Sequence, residues 1–460
     1  MPSRMLHDSA LNDLRKGFTG EILTPDDPAY EETRPVFNAM IDRFPAVITL
    51  PRNEAEVARA IEYGRLEGLQ IAVRGGGHSV AGNSISDGLV VDLRHLNSVT
   101  VDPGARTVRV GGGATIADLD RATQPYALAT TGGRVSTTGV GGFVLGGGSG
   151  WLERAFGLAC DNLLAVELVT AHGDLVRATG HNNSELFWAL HGGGGNFGVA
   201  TSLTLRLHPL PALTTALLMW PPDAGPEVAR AYRDFIDAAP DQVGGGLIYL
   251  MGGEEPFVPE DLVGKLACVA LITYTGQEAQ ARDVMAPMLG LGHTGELLAQ
   301  MPYAQVQSML DDPPGYRNYW SAEHLDTFPD EAVDLFCARA DDMVMPSPSQ
   351  HVLFPQGGAV GRDADLYPLP WRSAAWTVHP FGLWSDPADD ARAKEWARDL
   401  RNDMKPWASG AVYLNFIGQE GRDRVVAGFG PENYRRLAAV KAEYDPDNVF
   451  RLNHNIHPAA

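Results

Sequence analysis

Ala72-Val73-Arg74-Gly75-Gly76-Gly77-His78-Ser79 is the stretch on which the reading of this chain turns. Three consecutive glycines let backbone N–H groups approach an anion closely, and the arginine before them adds a fixed positive charge. A histidine follows at once, then a hydroxyl. Such a loop suits wrapping a pyrophosphate and presenting an imidazole to whatever that pyrophosphate carries. The flanks set the loop in a β-α-β frame. Residues 46–50 read as a strand, and Asn53-Glu54-Ala55-Glu56 resembles a capping box opening a helix to about residue 67. Residues 71–73 form a second strand running into the glycines, and residues 89–93 a third. Residues 107–110 alternate, Thr115 starts a short helix, and glycine-punctuated strands follow, which points to α+β rather than a regular doubly wound sheet.

The whole chain bounds the partners. With 460 residues, 44% hydrophobic and 20% charged, it has room for two or three domains and ample core. A formal net charge of -21 argues against nucleic acid and anionic membranes, both of which call for a basic surface. The segment over residues 1–18 has no apolar run, and no stretch has the length of a membrane span, so a cytoplasmic location is expected. Cys160, Cys268 and Cys337 are odd in number and far apart, and read as buried, inert thiols. No HxxxH, HExxH or GxSxG pattern occurs, so neither a metal site nor a serine hydrolase is expected.

Beyond about residue 202 proline, methionine and tryptophan rise. Helices over 226–238 and 276–291 separate strands over 246–251, 266–274 and 374–380, which makes residues 206–415 a second domain built on a sheet with covering helices. A helix over 431–443 closes the chain. Two more glycine clusters lie in the first part. One is Gly139-Val140-Gly141-Gly142 with Gly146-Gly147-Gly148-Ser149-Gly150, where so many glycines in an apolar run imply close approach to a large flat or anionic ligand. The other, Gly192 to Gly195 with Asn196-Phe197-Gly198-Val199, contains G-x-G-x-x-G. It follows a helix-like segment rather than a strand and has no acidic residue placed to hold a ribose, so a Rossmann site is rejected.

The order RGGGHS, GVGGFVLGGGSGW, GLACDN with ELVTA, GGGGNFGV and a terminal YDPDNVFRLNHNI resembles the berberine bridge enzyme-like FAD-linked oxidases of the vanillyl-alcohol oxidase superfamily, and the similarity spans essentially the entire chain. The resemblance implies a PCMH-type FAD-binding domain made from both chain ends (1–205 and 416–460), with a substrate domain (206–415) carrying a mainly antiparallel sheet covered by helices. It implies FAD contacts from Arg74, Gly75, Gly76, Gly77, His78, Ser79, Gly82, Val135, Thr138, Gly139, Gly141, Gly142, Gly146, Gly198, Val199, Tyr413, Asn415, Asn453 and Asn455. His78 matches the histidine bonded to the flavin 8α-methyl carbon. Many members add a cysteine link four positions before GVGG; Val135 stands there, so single attachment is expected.

The same resemblance places Thr138 beside the flavin C4a and N5 edge, where small residues accompany oxidases. Phe143 replaces a histidine on the pyrimidine side. In Tyr413-Leu414-Asn415-Phe416 the second aromatic, a tyrosine base in the sugar oxidases, is Phe416, which weakens a carbohydrate substrate. Tyr413 and Asn415 remain as active-site groups. The strand over residues 352–360 lacks the glutamate of the plant enzymes and leaves Gln356 as a polar contact; His351, Trp376 and His379 read mainly as structural. Trp320, Trp371, Trp376 and Trp384 suit a flat or aromatic substrate. The expected activity is that of an FAD-dependent oxidase of a small secondary metabolite, using O2 and acting as monomer or homodimer. An oxygenase working near Thr138, a dehydrogenase and a non-catalytic flavin-binding protein are the alternatives.

Overall fold

The computed structural model describes residues 8–460, so the first seven residues of the 1–18 stretch lie outside the described residues. Three sheets carry the fold. The first orders Glu21–Leu23, Val47–Leu50, Leu89–Asp92 and Ile71–Arg74, the last three parallel. Its parallel pairing follows from the helix Glu54–Leu66, whose start is capped by the Asn53 side chain accepting from the Glu56 N–H. The Glu56 carboxylate does not complete the expected capping box: it accepts from the N–H groups of Arg52, Thr19 and Gly20 instead. At Thr115 a full capping box does form with Asp118, and opens the helix Ile116–Thr123.

The second sheet is antiparallel, in the order Val99–Asp102, Thr107–Gly111, Val199–Arg206, Leu163–Val169, Leu175–Ala178. The C-terminal helices Arg422–Phe429 and Pro431–Tyr444 return to it: Val425, Phe429, Leu437 and Ile456 share one apolar core with Val108, Val166 and Leu203.

The third sheet has eight antiparallel strands, running from Gly295–Met301 through Leu213–Trp220, Leu266–Tyr274, Val243–Met251 and Gln350–Pro355 to Trp376–Trp384 and Arg317–Trp320, with Glu323–Leu325 also paired to Trp376–Trp384. Every residue of Leu213–Trp220 is buried, because both faces are covered. Ala216, Leu218, Leu247, Tyr249, Leu353 and Val378 face the helices Gly225–Ala238, Asp330–Ala338 and Asp390–Met404. Leu217, Met219, Ile248, Val352 and Phe354 face the other way, toward Trp151 and Leu152 behind the second glycine cluster. No helix among the described residues is long and apolar enough to cross a membrane.

Candidate functional site

One large cavity, with about 250 Å³ open to the centres of water molecules, lies between that second sheet face and the glycine loops. All three glycine clusters reach it. Gly75, Gly76 and Gly77 meet Gly139 and Gly142, with Gly192 to Gly195 on a further side. The first two loops touch so closely that only glycine fits: a Cβ on Gly76 would sit 2.3 Å from the Gly139 nitrogen, and one on Gly139 2.2 Å from the Gly76 nitrogen. Gly194 has φ +66, a left-handed conformation that favours glycine, with nothing within 4 Å of its Cβ position. The third loop is held from the chain's end. Asn453 Nδ2 donates to the Gly195 carbonyl at 3.0 Å, and Lys441 Nζ to that of Asn196 at 2.6 Å.

His78 stands on the cavity wall, its ring stacked on Phe37 with centroids 4.0 Å apart. Its Nε2 lies 2.8 Å from Thr137 Oγ1, while Nδ1 is buried without a hydrogen-bond partner. Enclosure by protein lowers its pKa to about 4, so the imidazole is neutral and nucleophilic at neutral pH. Val135, Thr138, Phe143, Gly146 and Ser79 also line the cavity. A Cβ at Gly146 would fall 2.4 Å from Asn415 Nδ2, so the glycine makes room for that amide. Asn415 Nδ2 donates to Tyr413 Oη at 3.0 Å, which also accepts from the Gly148 N–H at 3.0 Å. Burial pushes the Tyr413 phenol up to about 12, which makes it a proton donor and not a base. Phe416 lines the same space, its ring stacked 4.1 Å from that of His379.

Strand parity sorts the remaining candidates. Gln350 pairs with Phe381 and Val352 with His379, and all four line the cavity. His351 and Trp376 fall on the opposite face, in the helix-covered core, His351 Nε2 lying 2.8 Å from the Phe336 carbonyl oxygen. Gln356 lies beyond the strand's end, outside the cavity, its amide 3.5 Å from Glu153 Oε1. Trp320 lines the cavity, while Trp371, Trp376 and Trp384 are packed away from it.

Several residues expected at the cofactor lie off the cavity wall. The Arg74 guanidinium turns away to the carbonyls of Thr33 and Arg34 at 2.6 and 2.9 Å and to Asp92 at 3.4 Å, because strand pairing puts Arg74 beside Asp92. Gly82 packs on Ile41, Gly141 on the Gly112 carbonyl, and Gly198 between Leu168 and Val169 where the strand of Val199 begins. Asn455 is likewise off the wall. The cationic side chain that does line the cavity is Arg134, paired with Glu153 at 3.0 Å and lying 3.7 Å over the Phe354 ring. Sequence reasoning missed it, although it sits beside Val135. It also missed His454, flanked by the two motif asparagines, and Asp312, which no motif marks. Cys160, fully buried against Trp371 and Tyr413, lies off the cavity, and all three thiols are free and buried.

Glycine loops meeting around one cavity, with an unpartnered imidazole nitrogen on its wall, fit a dinucleotide that carries a reactive ring. The comparisons with known proteins agree. Residues 45–179 match an FAD binding domain, and residues 412–457 match the berberine and berberine-like domain. The chain is 31% identical to (R)-6-hydroxynicotine oxidase of Paenarthrobacter nicotinovorans over 95% of this chain and 97% of that one. It is 28% identical to an FAD-linked oxidoreductase of Bacillus subtilis over 96% and 97%. The crystal structure of 6-hydroxy-D-nicotine oxidase from Arthrobacter nicotinovorans superposes with a TM-score of 0.85 at 28% identity, covering 96% of this chain and 98% of that one. A berberine bridge enzyme-like protein of Physcomitrella patens shares the fold, with a TM-score of 0.87 at 20% identity over 98% and 99%. The chain belongs to the berberine-like FAD-linked oxidoreductases.

Proposed function

We propose that the protein is an FAD-dependent oxidase of a small, flat organic substrate, with FAD held covalently by His78 alone. FAD bound in the cavity supplies a two-electron acceptor for substrate hydride at N5, reoxidised by O2 to give hydrogen peroxide. In this reading residues 1–205 and 416–460 hold the cofactor and residues 206–415 cover the substrate side. Gly75 to Gly77, Gly139, Gly142, Gly146, Ser79 and Asn453 line the cofactor's bed. Val135 has no nucleophile, so there is no second tether. Thr138 is small and leaves its part of the wall open to O2. Tyr413 keeps its proton as the donor toward the reacting groups, its oxygen held by the hydrogen bond it accepts from Asn415. Trp320, Phe354, Phe381 and Phe416 supply an aromatic wall for the substrate.

The observation that carries this reading is the unpartnered, neutral Nδ1 of His78 on the wall of a cavity ringed by glycine loops. It is tested by denaturing the purified protein and separating polypeptide from free flavin. The wild type should keep its flavin on the chain, and His78→Ala should release all of it. Flavin released from the denatured wild type, or retained on the variant, overturns the covalent assignment.

A further inference from the structure

The segment over residues 132–138 sets Arg134, Val135 and Thr138 on the cavity wall and Thr137 Oγ1 2.8 Å from His78 Nε2. It is gripped from two directions. The start of the helix Ile116–Thr123 holds its carbonyls: the N–H groups of Ile116 and Ala117 donate to Thr138 and Ser136 at 2.9 and 2.8 Å. The second grip comes from side chains of the stretch that follows the strand Gly295–Met301. Tyr303 Oη accepts from the Gly132 N–H at 3.2 Å, and Gln307 Nε2 donates to the Gly133 carbonyl at 2.5 Å. These two stand one turn apart on the helix Tyr303–Gln307, so both face the segment. Asp311 takes Ser136 with both oxygens, Oδ1 accepting from the N–H at 2.6 Å and Oδ2 from the hydroxyl at 2.5 Å. Hydrogen bonds to a carboxylate are the strong kind, and a pair of them to one residue fixes its orientation as well as its place. Ser136 is thus held by its N–H, its hydroxyl and its carbonyl. That places Thr137, the next residue, and with it the contact to His78. Leu310 and Asp312, on either side of Asp311, line the cavity themselves. A reaction between two held groups depends steeply on their placement.

We propose that Tyr303, Gln307 and Asp311 are positioning residues for the attachment of flavin to His78, acting through the segment 132–138 and its Thr137 contact. The inference rests on the covalent His78 reading. In that attachment an imidazole nitrogen bonds to the flavin 8α carbon, that carbon and the imidazole each lose a proton, and the two electrons released pass through the flavin ring to O2, giving hydrogen peroxide. The test is the share of bound flavin that stays on the polypeptide after the purified holoprotein is denatured, with total flavin and the thermal midpoint measured beside it. Asp311→Ala should carry a covalent share about half that of the wild type or less. Asp311→Asn should restore it, because its carbonyl accepts from the Ser136 N–H and its amide donates to the Ser136 hydroxyl oxygen. Gln307→Met, which removes the donor to Gly133 and keeps the side chain's length, should lower the share too, and it decides the matter if the alanine variant fails to fold. A merely structural role would lower total flavin and the midpoint and leave the covalent share of the remaining flavin unchanged; that result overturns the proposal, as does Asp311→Asn behaving like the alanine variant. Wild-type protein that releases all its flavin overturns the covalent reading and this inference with it, whereas a covalent wild type beside an unaffected Asp311→Ala overturns the inference alone.

Discussion

At the scale of single residues, two glycines of the cavity do different work. Gly76 is held against the Gly139 backbone, so Gly76→Ala forces two main chains apart. Gly142 has nothing within 4 Å of its Cβ position and opens on the cavity. Gly76→Ala should therefore lower both the thermal midpoint and the flavin content, by about 1–3 kcal/mol of stability as for other overpacked sites. Gly142→Ala should leave the midpoint of the flavin-free chain unchanged and reduce flavin content, because its methyl group occupies ligand space with nothing within 4 Å. Absorbance of bound flavin and thermal unfolding, measured on both, check the contrast. His78 belongs to this scale too. Its Phe37 stack and Thr137 contact fix the ring, and its enclosure keeps it neutral.

At the scale of elements, the terminal helix Pro431–Tyr444 fastens the third glycine loop. Lys441 and Asp445 are both 0% exposed in their side chains and 2.5 Å apart. Lys441 also donates to the carbonyls of Asn196 and Phe450, and Asp445 accepts from the N–H groups of Val449 and Phe450. Removing one partner leaves a buried charge uncompensated, so Asp445→Ala should cost about 3–5 kcal/mol in denaturant unfolding. Replacing both residues with apolar ones should cost less, and unfolding of the double variant measures the difference. This helix, with Asn453 beyond it, ties the end of the chain to a site whose lining begins at Val73. The Gly195 and Asn196 carbonyls, which shape one wall of the cavity, are held from Asn453 and Lys441.

At the scale of the whole molecule, buried titratable groups set the response to pH. His78, His191 and His454 are lowered to about 4, and His324, His351 and His379 to about 3, all by burial. The unfolded chain takes up protons at these six residues near their ordinary value of 6.5, while the folded chain refuses them until the pH is much lower. Their contribution to stability is therefore lost as pH falls through 6.5 toward 4. Four buried carboxyls act in the opposite sense: Asp120, raised to about 8, Glu323, raised to about 7, and Asp312 and Glu153, also raised, keep protons that the unfolded chain has released. With His208, also lowered by burial, seven histidines outweigh four carboxyls, so stability should rise with pH across the interval from about 5 to 6.5. Thermal midpoints at pH 5 and pH 6.5 measure it; a midpoint higher at pH 5 contradicts the balance.

Much of this architecture is legible in the sequence because it depends on neighbours along the chain. Glycine runs, the Asn53 and Thr115 helix starts, the strand 266–274 and the terminal helix are local patterns, and the structure places each within a few residues of its expected bounds. The order of motifs was enough to indicate the family and its FAD. What only the tertiary structure decided is which side chains share the cavity. Arg74 carries a charge beside a glycine loop, yet parallel pairing with Leu89–Asp92 gives that charge to Asp92. His351 and His379 look alike in sequence, and strand register puts one among helices and the other on the cavity. Asp312 belongs to no motif and matters because folding buries it without a counter-charge. Local pattern determines backbone conformation through short-range sterics and capping. The company a charge keeps is set by contacts across long stretches of chain, from register and packing that no single segment encodes.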